Sequence, residues 1–128
     1  MQAGQVRKFQ RCPVLATYAW NCKYRLSGQA GFPALIHDAK AAIRWVRANA
    51  KILGIEPQRI GVVGYSAGGY HALFTAGTAN RAEFEGSGGN PGVSSQVAVC
   101  LAYYPATNIP ASMLPAGRSR SFGTPCRK

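Results

Sequence analysis

Apolar positions between residues 33 and 54 fall on one helical face. Ile36, Ala39, Ile43, Val46, Ala50 and Leu53 are spaced by 3, 4, 3, 4 and 3 residues, the period of an amphipathic helix. Pro33 suits a first helical turn, where a missing N–H costs nothing, and Gly54 suits a C-terminal stop. Lys40, Arg44, Arg47 and Lys51 lie away from the apolar seam, and Asp38 near the start complements the helix macrodipole. Two short apolar runs, 59–63 and 96–104, predict buried strands of a parallel sheet, the second closed by Pro105. A mixed pattern over 16–24 predicts a further strand, followed by a turn at 27–31. Small residues over 70–79 predict a second helix, and 83–95 a glycine-rich loop. Strand, helix, strand, helix, strand is the βαβαβ order of an α/β domain with a short parallel sheet in three layers and right-handed crossovers. The core is expected over 16–107. Residues 1–15 are expected to be a poorly ordered flank. Residues 108–128, rich in Pro, Ser, Arg and Gly, are expected to be a disordered basic tail.

Chemistry enters where the run 59–63 meets the second helix. Gly64-Tyr65-Ser66-Ala67-Gly68-Gly69 has the G-x-S-x-G form of a strand-to-helix turn that presents a nucleophilic serine. Such a turn leaves the Ser66 hydroxyl at a sharp bend. It also sets the Ala67 backbone N–H at a helix N-terminus, where donors without intrahelical acceptors and the positive dipole end face outward. That pairing of nucleophile and oxyanion donor serves acyl transfer. Gly64 and Gly68 are expected where a Cβ would collide across the turn, and Gly69 extends the permissive patch into the helix. Ser66 itself is expected to be strained.

Charge and cysteines narrow the alternatives. The 128 residues bound the chain to one domain and carry a net charge of +11. Residues 1–24 hold Arg7, Lys8, Arg11 and Lys23 with no acid, and 105–128 hold Arg118, Arg120, Arg127 and Lys128 with none. Eight of the eleven charges thus lie in the flanks, and the middle, with Asp38, Glu56, Glu83 and Glu85, is nearly balanced. Non-specific attraction to polyanions is expected from the flanks, but not a specific nucleic-acid site. Cys12, Cys22, Cys100 and Cys126 form no C-x-x-C pair and have no histidine at metal-ligand spacing, so neither a zinc site nor a disulfide framework is inferred. No run has the ~18 apolar residues of a membrane span. Residues 13–20 lack the length and cleavage site of a signal peptide, leaving a cytoplasmic default.

Four stretches in order carry a family resemblance: Tyr24-Arg25-Leu26-Ser27, the helix from Asp38 to Ala50, the Ser66 turn, and Glu85-Gly86-Ser87-Gly88-Gly89-Asn90-Pro91. Together, over about residues 24–107, the chain resembles bacterial α/β-hydrolase esterases of the lipase/esterase and feruloyl-esterase-like group. The resemblance implies a carboxylic-ester hydrolase with Ser66 as nucleophile, Ala67 N–H as one oxyanion donor, and no metal or cofactor. Its substrate would be a small-molecule ester or an acyl group on a polysaccharide.

The chain departs from that pattern at both ends. The family's His-Gly-Gly oxyanion loop is not found in residues 1–23, and no Asp, Glu or His follows Tyr104. Of the two histidines, His71 lies about 140° round the helix from the serine position, taking about 100° per residue. His37 sits beside Asp38, and neighbouring helical side chains diverge. Both are expected to be partly exposed helix residues. Tyr103, Tyr104 and Thr107 lie at a strand's carboxyl end, where α/β sites collect, though packing and loop closure account for them equally. The chain is therefore expected to be a truncated esterase, weakly active or inactive alone, with flanks of the kind out-of-frame sequence produces. Exposed sheet edges are expected to favour self-association. Two alternatives stand beside this: a non-catalytic hydrolase remnant or interaction module, and a serine peptidase of the same fold.

Overall fold

The computed structural model describes residues 17–26 and 28–107, and the backbone of 6–12. The expected tail 108–128 lies outside the described residues. The chain runs β1 (Val6–Cys12), β2 (Thr17–Cys22), α1 (Ala34–Ala48), α2 (Ala50–Leu53), β3 (Gly61–Tyr65), α3 (Ala67–Gly77), a single 3-10 turn (Ala82–Phe84) and β4 (Val99–Tyr103).

The helical seam is real. Ile36, Ile43, Val46 and Ala50 are buried, and α1 packs on α3. The helix pauses at Asn49 and ends at Gly54, which adopts the left-handed conformation (φ 67°, ψ 36°) suited to a glycine C-cap. Pro33 stands just before the first turn, which opens at Ala34. Burial extends well beyond the seam. Lys40 and Arg44 are only 0% and 3% exposed, because the loop after α3 lies across them and gives them partners.

The parallel sheet has two described strands. β3 and β4 pair in register from Gly61↔Val99 to Tyr65↔Tyr103, and α3 packs against both. This is the expected βαβ unit. The first predicted strand does not join it. β2 pairs instead with β1 in an antiparallel hairpin, Val6 opposite Cys22 and Cys12 opposite Thr17. β1 falls inside the stretch 1–15 expected to be poorly ordered, so strand pairing reaches upstream of residue 16.

β4 was expected to be buried on both faces, and it is not. Val63, Val99 and Leu101 are each more than half exposed. They share the sheet face opposite α3, and among the described residues no helix covers it. Among the described residues the layers are the sheet, α3 and α1, in keeping with the partial α/β fold expected. Tyr18 and Trp20 of β2 line a cavity together with Val63, Val99 and Leu101, which stay more than half exposed.

Candidate functional site

The Ser66 turn is built by close backbone approach. β3 delivers the chain to Tyr65, and α3 starts at Ala67, leaving Ser66 as the whole connection. A bend that short requires unusual dihedrals, and Ser66 adopts φ 52°, ψ −119°. For a non-glycine residue this costs roughly 1–3 kcal/mol and persists only where the surroundings enforce it. Two bonds do so: Ser66 N–H donates to Tyr103 C=O at 3.0 Å, and Tyr70 N–H donates to Ser66 C=O at 3.1 Å. The residue is exposed. Its hydroxyl makes no capping bond to the helix it precedes, so its oxygen is not committed to the fold. Ala67 N–H lies in the first turn of α3, among the donors without intrahelical acceptors.

The glycines divide differently from the expected pattern. A Cβ on Gly64 would fall inside the Gly68 carbonyl and 2.8 Å from Gly69 N, so Gly64 is required. A Cβ on Gly68 would meet nothing within 4 Å. The collision is one-sided, because only the Gly64 Cβ vector points across the turn. Gly69 is the second tight position, where a Cβ would lie 3.1 Å from Tyr103 O and 3.2 Å from Pro105 Cβ. We expect Gly64→Ala to lower stability by about 1–3 kcal/mol or more through backbone overlap. Gly68→Ala is expected to be neutral or to stabilise by up to about 1 kcal/mol, since alanine is the better helix former. Thermal melts of the two variants side by side check this, and equal losses would contradict it.

Neither histidine meets Ser66. His71 stands on α3 with its ring 4.7 Å from Tyr24 and 5.5 Å from Tyr70 in edge-on contacts. Its Nδ1 is buried without a partner, and burial pushes its pKa below the ordinary value. His37 is fixed under the loop after α3, where Gly86 (φ 64°) passes so close that a Cβ would lie 2.6 Å from the ring.

Asp38 does not serve the helix start as expected. It is buried, and its carboxylate accepts bonds from Arg25 N–H (3.0 Å), Nε (2.8 Å) and Nη2 (2.7 Å). Burial works against its charge, but the Arg25 bonds prevail and hold its pKa below the usual carboxylate value. The first two motifs are thus one clamp, tying the chain after β2 to α1.

The fourth motif forms a second clamp, with a hub that motif spacing alone did not reveal. The Glu85 carboxylate accepts from Lys40 Nζ (2.8 Å), Arg44 Nη1 (2.7 Å) and Ser95 Oγ (2.7 Å). Arg44 also donates to the carbonyls of Glu85 and Gly88, and Arg47 to those of Pro57, Ser94 and Gln96. A chain with so few acids offered one signal: a glutamate facing two bases one helical turn apart. These bonds hold the 85–96 loop to α1, and the loop leads directly into β4, whose Tyr103 carbonyl pins Ser66.

The profile of the BD-FAE family matches residues 2–120. Among curated proteins, the chain is 54% identical over 46 residues to carboxylesterase NlhH of Mycobacterium tuberculosis, covering 36% of this chain and 14% of that protein. Among solved structures it is similar to a bifunctional GH43-CE protein of Bacteroides eggerthii, with TM-score 0.67, 33% identity, and coverage of 72% of this chain and 13% of that one. It is also similar to a truncated carbohydrate esterase from gut microbiota, with TM-score 0.61, 32% identity, and coverage of 69% and 40%. The chain therefore spans well under half the length of each.

Proposed function

The chain belongs to the BD-FAE family, and from that premise we propose that it carries the nucleophile segment of a serine carboxylic-ester hydrolase, with Ser66 as nucleophile. The observation that carries this reading is the strained, exposed Ser66 joining β3 directly to α3, its hydroxyl free of any capping bond. Ser66 Oγ attacks the ester carbonyl and its proton passes to a base. Ala67 N–H donates to the oxyanion that forms, the alcohol departs, and water then hydrolyses the acyl-serine. The fold likeness to a carbohydrate esterase favours an acyl group carried on a saccharide as substrate. The named curated relative, a carboxylesterase, favours ester over amide hydrolysis.

Neither histidine of this chain packs against Ser66, so the proton has no imidazole acceptor among the described residues. A positioned general base contributes about 10²–10⁴-fold, and the chain alone is weakly active for lack of one. A fluorophosphonate probe tests the assignment. Slow labelling confined to Ser66, absent in Ser66→Ala, supports it, and labelling elsewhere overturns it.

The open face of Val63, Val99 and Leu101, and the edge of β3 away from β4, lead to a physical consequence. Exposed strands with apolar side chains associate, and the chain is expected to self-associate. Size-exclusion with light scattering should give a mass above the 13.6 kDa of one chain, and a clean monomer at micromolar concentration would refute it.

A further inference from the structure

The ladder between β3 and β4 runs in register from Gly61↔Val99 to Tyr65↔Tyr103. One step further it would set Ser66 opposite Tyr104. Both residues leave the strand conformation at that step, with φ 52° and φ 36°. Two strained bends thus face each other across the end of one sheet. Asn80, the third described non-glycine residue with positive φ, is of a type that tolerates it. Tyr104 has no such local reason. Bulky side chains avoid this region, and a following proline, here Pro105, favours extended backbone. Its own side chain, 75% exposed, does little to hold it there.

The bend is held from its two sides instead. Before it, Tyr103 C=O accepts from Ser66 N–H at 3.0 Å. After it, Pro105 comes to rest on the first turn of α3. A Cβ on Gly69 would lie 3.2 Å from Pro105 Cβ and 3.1 Å from Tyr103 O. An extended residue at 104 would carry the chain straight on, by about 3.3 Å per residue, past the helix start.

We propose that Tyr104 is a positioning residue for Ser66, acting through its backbone and not through its ring. Its bend turns β4 at the rung where β3 turns into α3, and so keeps the Tyr103 carbonyl on Ser66 N–H. This rests on reading Ser66 as the nucleophile. The Ser66 conformation persists only while its surroundings enforce it. Of the two backbone bonds that do so, the one from Tyr70 lies within the helix start, and the one to Tyr103 comes from a distant strand. Opening the bend at 104 withdraws that carbonyl and lets Ser66 relax. The hydroxyl then leaves the place the turn gives it.

The test separates backbone preference at 104 from the ring. Tyr104→Val removes the ring and disfavours positive φ. Tyr104→Gly removes the ring but accepts that φ freely. Tyr104→Phe keeps the ring. Amide hydrogen exchange compares Ser66 N–H with Ala98 N–H, which donates to Ile60 C=O at 2.8 Å at the other end of the ladder. Tyr104→Val is expected to lower protection of Ser66 relative to Ala98 by about tenfold or more, as a local opening does. Fluorophosphonate labelling of Ser66 should slow by a similar factor. Tyr104→Gly and Tyr104→Phe should stay within about threefold of wild type in both, since the bend is kept. Equal loss of protection at Ser66 and Ala98 would make Tyr104 a determinant of the fold alone and overturn the proposal. Tyr104→Gly as impaired as Tyr104→Val, or full labelling in Tyr104→Val, would overturn it too. Failure of the esterase reading would show separately, as absent labelling of the wild-type chain, and the exchange ratio would still decide whether the two bends are coupled.

Discussion

Replacing Glu85 with alanine is expected to lower the stability of the fold by about 3–5 kcal/mol. The carboxylate is the anionic partner of two cations removed from water, Lys40 at 0% and Arg44 at 3% exposure. Breaking a buried pair leaves an uncompensated charge, whereas an exposed pair is worth at most about 1 kcal/mol. Lys40 would keep the Thr78 carbonyl at 2.6 Å, which supplies a hydrogen bond but no counter-charge. Against a total stability of about 5–15 kcal/mol for a small domain, such a loss is a large part of the margin. Urea denaturation of wild type and Glu85→Ala measures it, and a loss below about 1 kcal/mol would show the clamp to be wet.

The same cluster sets the acid limit of the fold. Burial acts to raise the Glu85 pKa, but the Lys40 and Ser95 hydrogen bonds and the charges of Lys40 and Arg44 outweigh it and hold it low. A carboxylate with a depressed native pKa contributes stability that is complete above its unfolded value, about 4.3 for glutamate. That contribution is lost as pH falls through the native value. Asp38, also held low, acts in the same direction. Stability should therefore hold near neutral pH and fall below about pH 4, and Glu85→Ala should flatten that fall.

What could be read from residue order was whatever depends on local geometry. The seam from Ile36 to Leu53 and the stop at Gly54 follow from helical period and a left-handed glycine, both set within a few residues. The bend at Ser66 follows from Gly64, whose missing Cβ makes room for the Gly68 carbonyl. Features that depend on distant chain were not legible. Lys40 and Arg44 look like a solvated face until a loop 41 to 45 residues away brings Glu85 to them. Asp38 looks like a dipole partner until Arg25 folds over it. The pairing of β2 with β1 rather than β3 is a choice between edges, which side-chain pattern does not encode. Gly68 and Gly69 are equivalent by composition, and only the path of β4 past the helix start makes Gly69 the tight one. The strain at Tyr104 has no sequence mark at all.

The second large effect belongs to Ser66. The wild-type chain is expected to hydrolyse p-nitrophenyl acetate weakly, passing through an acetylated Ser66, and Ser66→Ala is expected to fall to the rate of the buffer. The missing element is a proton acceptor at Oγ, since the His71 ring lies against Tyr24 and Tyr70 and His37 lies beneath Gly86. Free imidazole can take that place. Turnover by the wild type should rise with imidazole concentration beyond imidazole's own reaction with the ester, recovering part of the 10²–10⁴-fold a positioned base supplies, roughly as general-base catalysis scales. Ser66→Ala should show only imidazole's own rate. The exposed hydroxyl and the Ala67 N–H are preformed by the fold, so rescue needs no rearrangement of the bend. Mass spectrometry of the quenched reaction locates the acetyl group. Imidazole-dependent turnover that survives Ser66→Ala, or acetyl found only on lysine, would mean that the bend at Ser66 presents no nucleophile.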